Sequence, residues 1–271
     1  MLGKLLKHEF RATGRIMLPL IAAELLISVL AGLSVRGLAR MEDMSFLHTM
    51  YVMTLFVFSL GLFAVAVVAF VLMIQRFYRS LLQDEGYLSM TLPVSVDAHI
   101  WAKLITSFVW FVAVGLLSIA ASLVVMTIGA AIELPPFFAG SWEEFAPAFD
   151  EIGGGNLALY LLETAVLAFL AGGAVCLRCY ASMAIGCSAS DHKLLLSFVT
   201  YIAVSIVLSI LSNAAAFTIL PNLNVEHMLS GMSQAAAMHA VMGVYLLISA
   251  ALFALFYYLT RYFLKNKLNL A

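Results

Sequence analysis

The chain has 271 residues, 64% of them hydrophobic and 11% charged, with a mean hydropathy of +1.05. A soluble domain carries about a quarter charged residues, so this composition excludes a soluble globular protein and leaves little room for a separate soluble domain. The net charge of −1 excludes nothing, because lipid-buried segments dilute it.

A spanning helix needs about 20 mostly apolar residues at about 1.5 Å each. Six such runs follow one another, and none shows the alternation of a β-barrel. The fold class read from them is an all-α membrane protein with six transmembrane helices. The N-terminal stretch MLGKLLKHEFRATGR places Leu2, Leu5, Leu6 and Phe10 on one helical face and Lys4, Lys7, His8 and Arg11 largely on the others. This predicts a short amphipathic helix over residues 1–15 lying on the inner membrane surface, rather than a cleaved leader. The first span is read over residues 16–35, interrupted by Glu24, and the second over 51–75, uncharged throughout. A charged, turn-containing segment over 76–96 leads to the third span at 104–132, bounded by Lys103 and Glu133.

After Pro135-Pro136, the run SWEEFAPAFDEI has Ser141 followed three residues on by Glu144, a capping-box pattern. Trp142, Phe145, Phe149 and Ile152 share a face, so residues 133–155 are read as an interfacial helix on the outer surface, with Pro147 placed to break or kink it. The fourth span, 157 to about 184, contains Glu163 and, near its end, Arg178. The fifth runs over 194–220, closed by Pro221. Residues 221–239 form an outer re-entrant or interfacial segment, and the sixth span covers 240–260, closed by Arg261.

Basic residues set the orientation. One side of the six-span arrangement collects Lys4, Lys7, Arg11 and Arg15, then Arg76, Arg79 and Lys103, then Arg178 and Lys193, and finally Arg261, Lys265 and Lys267. Of the 14 basic residues only Arg36 and Arg40 fall opposite. Both termini and the 76–96 segment are therefore expected in the cytoplasm of a multi-pass protein.

Motifs for chemistry are missing. Gly32 and Gly37 have the GxxxxG spacing, but Leu38-Ala39 stand where a P-loop requires Lys-Ser/Thr. His8-Glu9 continues as Phe-Arg-Ala, so there is no HExxH, and there is no GxSxG elbow. Glu143-Glu144 lacks the companions of a glutamate-type intramembrane protease, and no basic nucleic-acid patch occurs. The expectation is no catalytic residue, no ATP hydrolysis by this chain and no nucleic-acid partner. Cys176 and Cys179 make a CxxC, and Cys187 is the third cysteine. An odd count argues against a disulfide framework. A metal site would need a second ligand pair where only Cys187 and His192 are at hand, so the pair reads as small residues in a helix seam and no metal is assigned.

The segment YRSLLQDEGYLSMTLP gathers Arg76, Phe77, Tyr78 and Arg79 at the end of the second span. Ser80 to Glu85 can continue for one or two helical turns, Gly86 permits a sharp stop, and Pro93 resets direction. The bland reading is a solvated loop; the functional one is a short helix with a charged face that docks into another protein. FYRSLLQDEGYLSMTLPVS, followed by a basic residue and a long apolar helix, resembles the first cytoplasmic loop of ABC-2-type transporter permeases of Gram-positive bacteria. KLLKHEFRATGRIMLPL resembles that family's start, an amphipathic elbow helix leading into the first span, and SMAIGCSASDHKLL is a weaker match. The specific motifs cover roughly residues 1–105, and the six-span plan covers the whole chain. Within the family, the exporters of amphipathic peptides, such as phenol-soluble modulins, are the suggested subgroup.

The resemblance implies a single permease domain over 1–271 with an ABC-2, type V exporter-like fold in a bacterial plasma membrane. It implies pairing with a second permease subunit, identical or paralogous. A separate ATP-binding subunit would carry ATP and magnesium, so this chain would hold no cofactor. Arg76, Phe77, Tyr78, Arg79, Asp84, Glu85, Gly86 and Tyr87 would form the coupling helix that meets that subunit. The alternative function is a membrane immunity protein that binds a peptide toxin without pumping; an intramembrane enzyme ranks after both.

Glu24 and Glu163 sit inside spans, where a carboxylate costs about 2.5–3.5 kcal/mol on insertion scales. They read either as polar points on a translocation path for cationic amphipathic cargo or as structural hydrogen-bond partners of nearby hydroxyls such as Ser28 and Thr164. The 14 methionines and 19 phenylalanines suit an adaptable apolar cavity, and equally ordinary packing in lipid.

Overall fold

A computed structural model describes residues 2–38, 46–83, 94–129, 140, 143, 146–147, 157–188, 192–215, 217 and 231–266. They form six long helices and, among the described residues, no strand: α1 (Leu2–Leu38), α2 (Phe46–Leu81), α3 (Val96–Gly129), α4 (Leu157–Gly186), α5 (Lys193–Ala214) and α6 (Gln234–Asn266). Each is long and apolar enough to cross a membrane. Their outward faces are apolar: Leu26 is 69% exposed, Phe56 61% and Leu247 73%. Apolar surface on that scale requires lipid against it. The chain is a multi-pass membrane protein.

The helices outrun the expected spans. α1 is continuous through Pro19, so residues 2–15 are not a separate surface helix but the first turns of a helix of 37 residues, ~55 Å long. Two contacts to α3 hold that extension. Lys103 Nζ donates to Glu9 Oε1 at 2.9 Å with both side chains largely buried, and Trp110 Nε1 donates to Thr13 Oγ1 at 2.7 Å. Lys103 is thus not a loop cation but half of an ion pair inside a helix seam. α3 begins at Val96, ahead of the expected 104, because Ser95 caps it, receiving the Ala98 N–H at 3.0 Å on its carbonyl and 3.3 Å on its Oγ. Likewise Ser233 caps α6, so residues 234–239 belong to that helix and not to a separate outer segment. α5 is α-helical to Ala214, Ala215 and Phe217 beyond it are π-helical, and the expected end at 220 lies outside the described residues. Of the expected 133–155 helix, Gly140, Glu143, Ala146 and Pro147 are described, and all four are helical. Asp84, Glu85, Gly86 and Tyr87, and residues 221–230, lie outside the described residues.

The chain divides into two compact units: residues 1–75 with 101–145, and residues 76–100 with 146–271. In the first, Met17, Leu20 and Ile21 of α1 pack with Val65, Val68, Ala69 and Leu72 of α2 and with Trp110, Phe111, Val114 and Leu117 of α3. In the second, α4 packs against α5 and α6. The contacts Tyr160–Ala235, Glu163–His239 and Leu177–Thr260 climb both helices together, so α4 and α6 are parallel. α5 returns antiparallel to α4 through a tight turn. There His192 adopts a left-handed φ of 53°, and Gly186 lies on the Ser197 backbone so closely that a Cβ would stand 2.6 Å from Ser197 Cα. Contacts Glu9–Lys103 and Thr13–Trp110 give α1 and α3 the same parallel relation inside the first unit.

The buried ion pair gives a test. Glu9→Ala removes the carboxylate that faces the buried Lys103 ammonium and should lower stability by about 3–5 kcal/mol, whereas Glu9→Leu with Lys103→Met should recover most of it. Thermal unfolding of the detergent-solubilised variants checks both. In the turn, Gly186→Val should cost about 1–3 kcal/mol by overpacking, while His192→Gly should be neutral or stabilising, since glycine meets no steric penalty at positive φ.

Candidate functional site

The segment that sequence patterning singles out lies at the ends of α2 and α3. α2 changes unit after Gln75, six residues before its end, and α3 after Ile100, five residues from its start. Residues 76–100 group with the C-terminal helices, although the rest of α2 and α3 groups with α1.

The reason lies in a few side chains. Phe77 is fully buried and stacks on Tyr180 of α4, with ring centroids 3.9 Å apart and planes 5° from parallel. Tyr180 is itself fully buried, and so is Leu81. Asp97, in the first turn of α3, accepts from Tyr257 Oη at 2.6 Å and from Arg261 Nε at 3.0 Å, both on α6. α2 thus grips α4 through an aromatic stack, and α3 grips α6 through a charge-assisted pair.

The expected coupling residues separate accordingly. Phe77 is buried and faces Tyr180. Arg79 is exposed, and Arg76 and Tyr78 are half-buried. The helix ends at Leu81, where Leu82 N–H and Gln83 N–H both reach the Tyr78 carbonyl, at 2.9 and 3.1 Å. Nearby, burial pushes the Cys187 thiol up, opposed by Lys193 and by a hydrogen bond with Ser197. All three cysteines are buried free thiols.

Glu24 and Glu163 fall in different units. Glu24 is 2% exposed, on the α1 face that carries Met17 and Ser28. Its carboxyl lies against Gly61 of α2, where any Cβ would collide with Oε2, and its Oε1 is buried without a partner among the described residues. Ser28, the hydroxyl one turn away, donates instead to the Leu25 carbonyl at 2.7 Å. Glu163 is different. His239 Nδ1 lies 2.9 Å from both of its oxygens, and the imidazole stacks on Tyr160 at 4.3 Å. Its partner is a histidine 76 residues away, not a serine or threonine.

Arg178 is not at the end of the fourth span. It lies two turns inside α4, with Nη2 donating to Tyr201 Oη at 2.9 Å and the guanidinium carbon 4.9 Å from that ring's centre. Reasoning from sequence missed Asp97, Tyr180, His239 and Gly61. The first is a lone acid before a long apolar run, a faint signal; the others carry none, since their roles come from partners far away in the chain.

Among the described residues, no group of three histidine, cysteine or carboxylate side chains could hold a metal ion. No protein-family model, curated protein or solved structure matches the chain.

Removing the grip should loosen the C-terminal unit. Phe77→Ala should cost about 3–5 kcal/mol as a large-to-small change at a fully buried ring. Asp97→Asn keeps the shape but removes the charge, and should cost about 1–3 kcal/mol. Thermal unfolding gives the size of each loss, and hydrogen exchange in α4 and α6 should rise in both variants.

Proposed function

We propose that this chain is the membrane-spanning permease subunit of an ATP-driven exporter of the ABC-2 type. It would move amphipathic peptides or other hydrophobic compounds out of a bacterial cell, with both termini and residues 76–96 in the cytoplasm. A separate ATP-binding subunit would supply the P-loop that this sequence lacks, and a second permease subunit would complete the pathway.

One observation carries the reading. Residues 76–100 are joined covalently to α2 and α3, yet pack with α4 and α6 through Phe77–Tyr180 and Asp97–Tyr257–Arg261. A displacement applied to this segment is felt by four helices at once, which is what a coupling element requires. The exposed Arg79 offers a charge on its surface. Phe77 leaves the docking set and becomes the joint through which the push reaches α4.

Glu24 supports a role on the path more strongly than Glu163. A buried carboxyl oxygen without a partner, in lipid, is costly unless it serves a ligand or is protonated. Glu163 already has His239.

Co-purification decides the main point. The chain, co-expressed with candidate free-standing P-loop ATPases from the same genome, should retain one of them and stimulate or restrain its turnover. Arg79→Glu and Glu85→Arg should leave membrane abundance unchanged but weaken retention, because each inverts a charge at the docking surface. Normal insertion with no ATPase retained by the parent chain would sink the proposal and favour a toxin-binding immunity protein.

Glu24→Gln should impair export of lysine-rich peptides more than of neutral ones while basal ATPase activity persists. Equal export across a charge-varied peptide set would remove Glu24 from the path.

A further inference from the structure

Between α4, α5 and α6 lies a cavity of about 220 Å³. Its walls are small or aliphatic: Ala174 and Val175 of α4, Leu208 of α5, Leu252 and Phe256 of α6. Arg178 is the sole charged residue in the lining, and Ser249 the sole other polar one. The α4 residues at the wall, from Ala171 to Arg178, lie on one helical face and extend ~10 Å along the axis.

The guanidinium here is short of partners. Nη2 has the neutral Tyr201 hydroxyl, Nε is buried with no acceptor, and among the described residues no carboxylate pairs with Arg178. An arginine inside a span without a counter-ion is costly. Arginine cannot shed its proton to escape that cost. The missing element is an anion with an apolar body, and the cavity has room for the body. Val175 lines it while 45% exposed, so it opens on the face that lipid covers.

We propose that this cavity binds an anionic acyl chain: the phosphate or carboxylate sits on Arg178, and the first methylenes lie between α4, α5 and α6. The chemistry is shared by an anionic phospholipid and a free fatty acid. The site is independent of residues 76–100 and does not rest on the exporter reading.

The test is native mass spectrometry of the full chain in detergent, titrated with two matched pairs: oleate against oleyl alcohol, and dioleoylphosphatidylglycerol against dioleoylglycerol. Each pair shares its chains and differs in the anion. The parent chain should retain the anionic member of at least one pair about tenfold more tightly than its neutral twin, the scale of a charge-assisted contact. Retention of the phosphatidylglycerol alone identifies a phospholipid, and retention of oleate alone a fatty acid. Arg178→Gln should abolish the preference. Val175→Trp fills the cavity from its exposed wall, keeps the charge and should weaken retention about tenfold, so it decides the matter where Arg178→Gln fails to fold. Equal retention of charged and neutral twins by the parent chain, or undiminished retention in folded Arg178→Gln or in Val175→Trp, overturns the proposal.

Discussion

A helix in lipid gains little by turning its leucines toward another helix, because the acyl chains are as apolar as the neighbour would be. Association then depends on close packing and on the few polar groups that find each other, and the two units obey that constraint. α1 and α3 are tied by Lys103–Glu9 and Trp110–Thr13. α4 and α6 are tied by His239–Glu163 at their beginnings and by Thr260 Oγ1 on the Leu177 carbonyl farther along. Between such ties the first unit packs Met17, Val65, Ala69, Leu72, Val114 and Leu117, and α4 buries Ala174, Cys176, Leu177, Cys179 and Tyr180.

The same constraint explains how residues 76–100 are held. The Phe77–Tyr180 stack and the Asp97–Tyr257–Arg261 cluster anchor both arms of the segment to the C-terminal helices, one arm by aromatic packing and the other by charge. Helix continuity does the rest: α2 and α3 run unbroken from the anchored ends into the other unit.

Three ionisable side chains within the spans illustrate different answers to the cost of polarity in lipid. Glu163 acquires a histidine. Arg178 acquires a tyrosine ring and hydroxyl, but keeps one buried N–H without an acceptor beside an apolar cavity. Glu24 is pressed against a glycine backbone with one oxygen unpaired. The Glu163 carboxylate is met within the protein, although His239 Nε2 is itself buried without a partner, so each of the three sites leaves one buried polar atom unmet among the described residues.

Hydropathy and the basic residues determined much by themselves: six apolar helices, the all-α class, the charged segment after residue 75 and the two carboxyls inside spans. These are local properties, since a run of about 20 apolar residues must be helical in lipid whatever surrounds it. Helix ends were less legible. Arg76 to Leu81 and residues 2–15 read as flanking segments because they are polar, yet a helix continues until its backbone is capped or its turn geometry fails, and hydropathy reports neither. Partners were not legible at all. Glu24 and Glu163 look alike in sequence, and Phe77 looks like one more aromatic residue at the membrane surface. Only the tertiary structure decided that Glu163 meets His239, that Glu24 meets Gly61 and that Phe77 turns inward onto Tyr180. Those outcomes depend on which helices lie side by side and in what register, and chain-local periodicity carries no record of a neighbour on another helix.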